Sequence, residues 1–247
     1  MNALAALAGY GQAFWLDYIR RSFVEGGEFQ QMIERDGLRG VTSNPAIFEK
    51  AIDGSTDYAA DMRSVRCDSE QDAKQIFERL AARDIREAAD LLRPVYDRTE
   101  KADGFVSLEV SPMLAHDTRA TIEEARRLWR MIDRPNLMVK VPGTPEGLPA
   151  VETLLSEGIN VNVTLLFSQQ VYKKTAEAYL RALEARMKRV QDLKSVAGVA
   201  SFFVSRIDTV VDASLREKLK SAPLQERPKI EALLGKAAIA NAKLTYC

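Results

Sequence analysis

An α/β fold of the (β/α)8 TIM-barrel type, incomplete with about six strands in this chain, is predicted by three observations. Short apolar runs alternate with longer amphipathic ones, the pattern of a parallel sheet joined by crossover helices. Within each short run one alternating set of residues is almost wholly apolar, while the other carries polar groups toward the C-terminal end. Those polar groups include a lysine and two carboxylates. A barrel keeps its helices outside and its site at the C-terminal rim of the strands. An open doubly wound sheet is covered by helices on both faces and would not bury this much polarity on one of them.

In chain order, Asn2 is placed to cap a short opening helix. The strand candidates are residues 13–16, 38–42, 104–110, 137–141, 160–167 and 196–204. Helical patterns cover 18–35, 69–96, 118–131, 147–157 and 169–190, and two more, 206–220 and 227–246, follow the last strand. The two-residue period puts Trp15 with Asp17, Gly40 with Thr42 and Asn44, and Phe105 with Ser107 and Glu109. It likewise groups Met138, Lys140 and Pro142; Asn160, Asn162 and Thr164; and Val199, Ser201 and Phe203. The opposite phase is apolar, for example Val106, Leu108 and Val110, or Val161, Val163 and Leu165, and suits packing under helices. No internal repeat or low-complexity linker divides the chain, so residues 1–247 read as one domain.

The composition narrows function. Lys and Arg number 35 and Asp and Glu 35, so there is no surplus charge to recruit nucleic acid or an acidic membrane surface. No apolar run approaches membrane-spanning length. Cys67 and Cys247 are the only cysteines, and their spacing suggests neither a disulfide framework nor a metal site, which points to the reducing cytoplasm. His116 is the only histidine and is expected on a surface loop, so a histidine-rich metal centre is excluded. No glycine-rich phosphate loop of the Walker or dinucleotide type occurs.

Lys140 sits in the apolar run Leu137-Met138-Val139-Lys140-Val141-Pro142. Lysine is seldom fully buried without a partner or a task. Burial disfavours the ammonium form, and a neutral amine is a nucleophile toward carbonyls, able to form a Schiff base. The competing reading is a strand-end lysine that snorkels or pairs with a carboxylate. Asp17 and Glu109 fit either picture, as acid and base beside an amine or as simple counter-ions. Asn44 precedes Pro45 in Thr-Ser-Asn-Pro, which suits either a helix N-cap with proline at the first helical position or a substrate contact, and the two do not exclude each other. Arg206 follows the sixth strand and suits bidentate contact with a phosphate ester, or an ion pair with Asp208.

Several stretches then converge. They are Trp15-Leu16-Asp17-Tyr18, Thr42-Ser43-Asn44-Pro45, Ser107-Leu108-Glu109-Val110-Ser111-Pro112 and Val139-Lys140-Val141-Pro142-Gly143-Thr144. Asn160-Val161-Asn162-Val163-Thr164-Leu165-Leu166-Phe167-Ser168 and Ser201-Phe202-Phe203-Val204-Ser205-Arg206 complete the set, which spans nearly the whole chain. Together they resemble transaldolases, in particular the longer bacterial subgroup. The resemblance implies that Lys140 is the Schiff-base lysine holding a dihydroxyacetone unit and Asp17 the acid/base at the cleaved bond. It implies that Glu109 and Thr164 hold a catalytic water, and that Asn44 and Asn162 contact substrate hydroxyls and the iminium region. Phe203 would line the site, and Ser201 and Arg206 would bind phosphate. The implied reaction moves dihydroxyacetone from a ketose phosphate (sedoheptulose 7-phosphate or fructose 6-phosphate) to an aldose phosphate, as in the pentose phosphate pathway, with no metal or organic cofactor.

The chain departs from that family in length: six strands are counted and the usual last two are missing. A truncated product, closure by a homo-oligomer or second chain, and a short variant whose C-terminal helices cover the gap are all compatible with this. An uncovered barrel would expose two strand edges. Two rival functions stand beside transfer: an aldolase that releases free dihydroxyacetone, and a non-catalytic barrel subunit.

Overall fold

The computed structural model describes residues 2–65 and 73–246. Both cysteines and residues 69–72 of the expected long helix lie outside the described residues. Six parallel strands form one sheet in sequence order: β1 (Phe14–Asp17), β2 (Leu38–Thr42), β3 (Phe105–Glu109), β4 (Leu137–Pro142), β5 (Val161–Leu166) and β6 (Gly198–Phe202). Neighbours in sequence are neighbours in the sheet, so every crossover advances in the same direction, as in a singly wound barrel wall. β1 and β6 are the two edges, yet residues of both line one cavity, so the sheet curls into an open barrel.

Helices surround the sheet, and those in the crossovers between β2 and β6 pack on its outer face. The helices are α1 (Ala3–Ala6), α2 (Arg21–Glu25), α3 (Glu28–Gln31), α4 (Pro45–Asp53), α5 (Ala59–Val65) and α6 (Ala73–Arg98). α7 (Thr118–Ile132), α8 (Gly147–Glu157), α9 (Gln169–Lys188), α10 (Ser205–Ser221), α11 (Arg227–Glu231) and α12 (Ala237–Tyr246) follow. Asn2 caps α1 through the Leu4 N–H, Asp117 caps α7 through Ala120, and Ser168 caps α9 through Val171. The helix expected over 18–35 is broken: Gly26 ends α2, Gly27 takes a left-handed conformation (φ 86°), and α3 then runs into a π turn at Met32–Asp36. The helix expected over 227–246 is likewise two pieces, with Gly235 at φ 68° between them.

The apolar phase of the strands forms the main core. Val106, Leu137, Val139, Val141 and Val161 are essentially inaccessible and pack with Ala88, Ala89, Leu92, Leu128, Val151 and Leu154 from the helices. Alanines along α6 (Ala81, Ala82, Ala88, Ala89) let it lie close to the sheet. One expectation fails here. Leu165 does not join this layer but is 41% exposed, because the β5–β6 register shifts between Val163 and Leu166 and Leu165 adopts φ 61°. The extra residue of this bulge inverts the phase, and Leu166 is buried instead.

The inner face is closed at its base by aromatic packing. Tyr96, Phe105 and Met138 form a buried cluster against which Trp15, Ala197 and Val199 pack. The Trp15 ring lies directly over Gly40: a Cβ there would fall 2.4 Å from ring carbons, which explains a glycine inside a strand.

A buried ionic cluster ties the segment after β1 to α6. The Arg21 Nε donates to Asp84 Oδ1 at 2.8 Å, the Tyr58 hydroxyl donates to Asp84 Oδ2 at 2.8 Å, and the guanidinium lies 4.6 Å from the Tyr58 ring centre. Asp84 is fully inaccessible, and burial pushes its carboxyl up against the pull of Tyr58 and Arg21. Removing one member of such a set leaves a buried charge without its partner. Asp84→Ala is therefore expected to lower unfolding free energy by about 3 kcal/mol, read as a fall in the urea midpoint at unchanged slope. A loss below about 1 kcal/mol would mean that Asp61, which also pairs with Arg21, carries the cluster alone.

Candidate active site

Register and pleat place the polar phase side by side. Across adjacent strands Asp17 is opposite Thr42, Thr42 opposite Ser107, Glu109 opposite Lys140, Lys140 opposite Asn162, and Pro142 opposite Thr164. Above the aromatic base lies a cavity of about 180 Å3 lined by Asp17, Thr42, Asn44, Lys140, Thr164, Ser201, Phe202, Phe203 and Arg206. Seven of the nine residues expected at the site line it. Glu109 and Asn162 do not, but each touches a residue that does.

Lys140 is 6% exposed. Its Nζ donates to the Ser43 carbonyl oxygen at 2.9 Å and lies 3.6 Å from Glu109 Oε2. Both neighbours are acceptors, so the amine is held by polar atoms and not by the purely apolar surroundings its run suggests. Glu109 is itself largely enclosed. Burial pushes its carboxyl above the ordinary range, the Asp17 charge adds to this, and Lys140 pulls the other way by charge and hydrogen bond. The result is a carboxyl that keeps its proton to higher pH than an exposed glutamate.

Asp17 accepts a hydrogen bond from the Thr42 hydroxyl, which orients its carboxyl group at the end of β1. Asn44 is the N-cap of α4, its side-chain oxygen accepting from the Ile47 N–H at 3.0 Å, and still lines the cavity. The cap is thus made by a residue that also faces the cavity. Asn162 is buried between two serines: its Nδ2 donates to Ser107 Oγ at 3.1 Å and its Oδ1 accepts from Ser201 Oγ at 2.7 Å. Thr164 is 2% exposed at the end of β5. The Arg206 guanidinium lies 4.7 Å from the Phe203 ring centre. It does not pair with Asp208, whose Oδ1 instead accepts from the Ala238 N–H at 2.8 Å.

Two contributors were not evident in the sequence. Ser43 acts through a backbone carbonyl, and its hydroxyl donates to the Ser107 carbonyl at 2.7 Å; strand alternation assigns it to the opposite phase. Thr42 is in the right phase, but nothing in the sequence marks it as the partner of Asp17. His116 is 82% exposed and 3.3 Å from Glu146, away from the cavity.

A buried primary amine, an enclosed carboxyl whose proton is held more tightly than in an exposed glutamate, a second carboxyl group on the same cavity and an arginine at the rim can together support imine chemistry on a carbonyl compound bearing an anionic end. Comparison with known proteins points the same way. Residues 14–247 match the family model described as transaldolase/fructose-6-phosphate aldolase. A transaldolase of Trichodesmium erythraeum (strain IMS101) is 50% identical over 246 residues, 99% of this chain and 64% of that protein. Transaldolase 2 of Nostoc punctiforme (strain ATCC 29133 / PCC 73102) is 50% identical over 248 residues, 99% of this chain and 65% of its own length. A transaldolase of Thiobacillus denitrificans (strain ATCC 25259 / T1) is 48% identical over 246 residues, 100% of this chain and 66% of that protein. The chain thus spans slightly less than two thirds of the curated relatives it matches.

Proposed function

The chain belongs to the transaldolase/fructose-6-phosphate aldolase family, and from that premise we propose that it transfers a dihydroxyacetone unit between sugar phosphates through a Schiff base on Lys140. The observation that carries this reading is the Lys140 amine, nine-tenths buried, 3.6 Å from Glu109 and sharing a cavity with Asp17. In this reading the amine adds to the ketone carbon of a ketose phosphate to give a carbinolamine. Glu109 gives a proton to the departing hydroxyl, water leaves, and an iminium forms. Asp17 takes the proton of the hydroxyl next to the breaking carbon–carbon bond. That bond's electrons pass into the iminium, giving an enamine and releasing an aldose phosphate. The enamine attacks the aldehyde of the acceptor, the proton steps reverse, and water hydrolyses the new iminium. Thr164 works with Glu109 on the water, Asn44 and Asn162 act on substrate hydroxyls and the iminium region, and Phe203 walls the cavity. Ser201 and Arg206 hold the phosphate ester, Arg206 by its planar fork of donors. The electron sink is the protein's own amine. The same reading puts the reaction in the reducing cytoplasm, supported by the sparse cysteines, and has a second copy or another chain meeting the unpaired edges of β1 and β6.

The reading is tested by incubation with fructose 6-phosphate, with and without an aldose phosphate acceptor. Transfer predicts acceptor-dependent turnover and little free dihydroxyacetone without acceptor. Rapid release of dihydroxyacetone without acceptor would assign the aldolase branch of the family instead.

The raised Glu109 carboxyl gives a pH prediction. The folded protein holds this proton more tightly than the unfolded chain does. Its contribution to stability is therefore fully present below the ordinary glutamate value and is lost as pH rises through the raised one. A step that needs the protonated acid follows the same sign, so imine formation falls on the alkaline side of that value. Glu109→Gln is expected to slow imine formation about 100-fold at the optimum and to remove this limb from the pH–rate profile. An unaltered limb in the variant would assign it to another group.

A further inference from the structure

The end of β5 is built irregularly. Leu165 holds a left-handed backbone (φ 61°), which is unfavourable for a residue with a Cβ, inside the bulge where the β5–β6 register shifts. Without that extra residue, alternation would send Phe167 outward, toward the helices. With it, Leu166 is buried in the helix-facing core and the Phe167 ring reaches the mouth, where it stacks on Phe203 with centres 5.0 Å apart and planes at 21°. The Phe203 ring in turn carries the Arg206 guanidinium, 4.7 Å from its centre. The backbone of this corner is fixed on both sides. The Phe203 N–H donates to the Leu166 carbonyl at 2.8 Å, and Asn241 of α12 donates from Nδ2 to the Phe167 carbonyl at 2.8 Å. α12 is itself tied to α10, whose Asp208 and Asp212 carboxylates accept from the Ala238 and Gly235 N–H groups.

Arg206 makes no ion pair among the described residues. Its long, exposed side chain would otherwise sample many rotamers, all of which must be lost on binding a ligand. Seated over that ring, the guanidinium makes no hydrogen bond among the described residues, which leaves its N–H donors for bidentate contact with a phosphate ester. We propose that Phe167 is a positioning residue for phosphate recognition: it fixes Phe203, and through that ring the plane of the Arg206 guanidinium, so that ketoses bearing a terminal phosphate are selected over unphosphorylated ones. The proposal rests on the reading of Arg206 as a phosphate ligand.

The test reads the half-saturating concentration for borohydride-trapped adduct by intact mass, for fructose 6-phosphate and for fructose, on the whole chain. The quantity is the ratio of fructose to fructose 6-phosphate. Arg206→Ala is expected to lower this ratio about 10-fold or more. Phe167→Ala and Phe167→Leu, the second keeping apolar bulk without a ring, are each expected to lower it about 2- to 5-fold. Phe167→Tyr, which keeps the ring, is expected to restore it. If Arg206→Ala lowers the ratio and neither Phe167 variant does, the positioning role is overturned while the proposed function stands. A Phe167→Leu variant that weakens both sugars equally also overturns it, since that is a merely structural effect. A ratio unmoved by Arg206→Ala refutes the phosphate reading of Arg206, and the absence of any adduct on the unaltered protein refutes the Schiff-base reading. In either of those cases the Phe167 inference falls as well.

Discussion

Lys140→Ala is expected to cut dihydroxyacetone transfer by about four orders of magnitude or more, because among the described residues Lys140 is the only amine lining the cavity that can form the imine. In the proposed reading the other groups move protons or hold substrate, and each such contribution is smaller than loss of the nucleophile. A general base alone leaves the ketone unactivated, since the electrons of the breaking carbon–carbon bond then have nowhere to go. The substitution also removes the hydrogen bond to the Ser43 carbonyl and the 3.6 Å contact with Glu109. Stability therefore needs its own measurement. Lys140→Met keeps the length and apolar stem while removing the amine, and a folded Lys140→Met protein without transfer activity separates chemistry from folding. Circular dichroism and a urea midpoint on the same samples make that separation.

Asp17→Asn is expected to separate the two halves of the reaction. Asparagine keeps the oxygen that accepts from the Thr42 hydroxyl, so the end of β1 is held as before. It cannot take the hydroxyl proton on which carbon–carbon cleavage depends. The amine and the Glu109 carboxyl both remain in place, so imine formation continues while cleavage slows by about 100- to 10,000-fold. Borohydride reduction of the variant with fructose 6-phosphate should then capture the uncleaved six-carbon sugar phosphate, whereas the unaltered protein yields the three-carbon adduct. A three-carbon adduct formed at the unaltered rate by Asp17→Asn would remove Asp17 from the cleavage step.

The barrel wall was legible because its two faces obey different rules. Val106, Leu108, Val139, Val141, Val161 and Val163 repeat every second residue, and all six are buried toward the helices. The same alternation put Asp17, Thr42, Lys140, Thr164 and Ser201 on the cavity side, where they are found. Local chemistry located the caps at Asn2 and Asn44. Periodicity failed where the backbone departs from regular geometry. Gly27 and Gly235 in left-handed conformations split two expected helices, and a pattern of apolar residues does not register a change of direction. At Leu165 the departure is a single bulged residue without a glycine to announce it. The phase beyond it is inverted, and Phe167, which a strict two-residue count sends outward, comes to the mouth. Ser43 was hidden for another reason: its contribution to Lys140 is a carbonyl oxygen, which every residue possesses.

The central claim is that the Lys140 amine itself carries the substrate. Peptide mapping after incubation with fructose 6-phosphate and borohydride tests it most directly. The claim predicts one dihydroxyacetone-derived adduct, on the peptide containing Lys140, absent from Lys140→Met. A folded protein with no adduct, or an adduct on another lysine that persists in Lys140→Met, would contradict it.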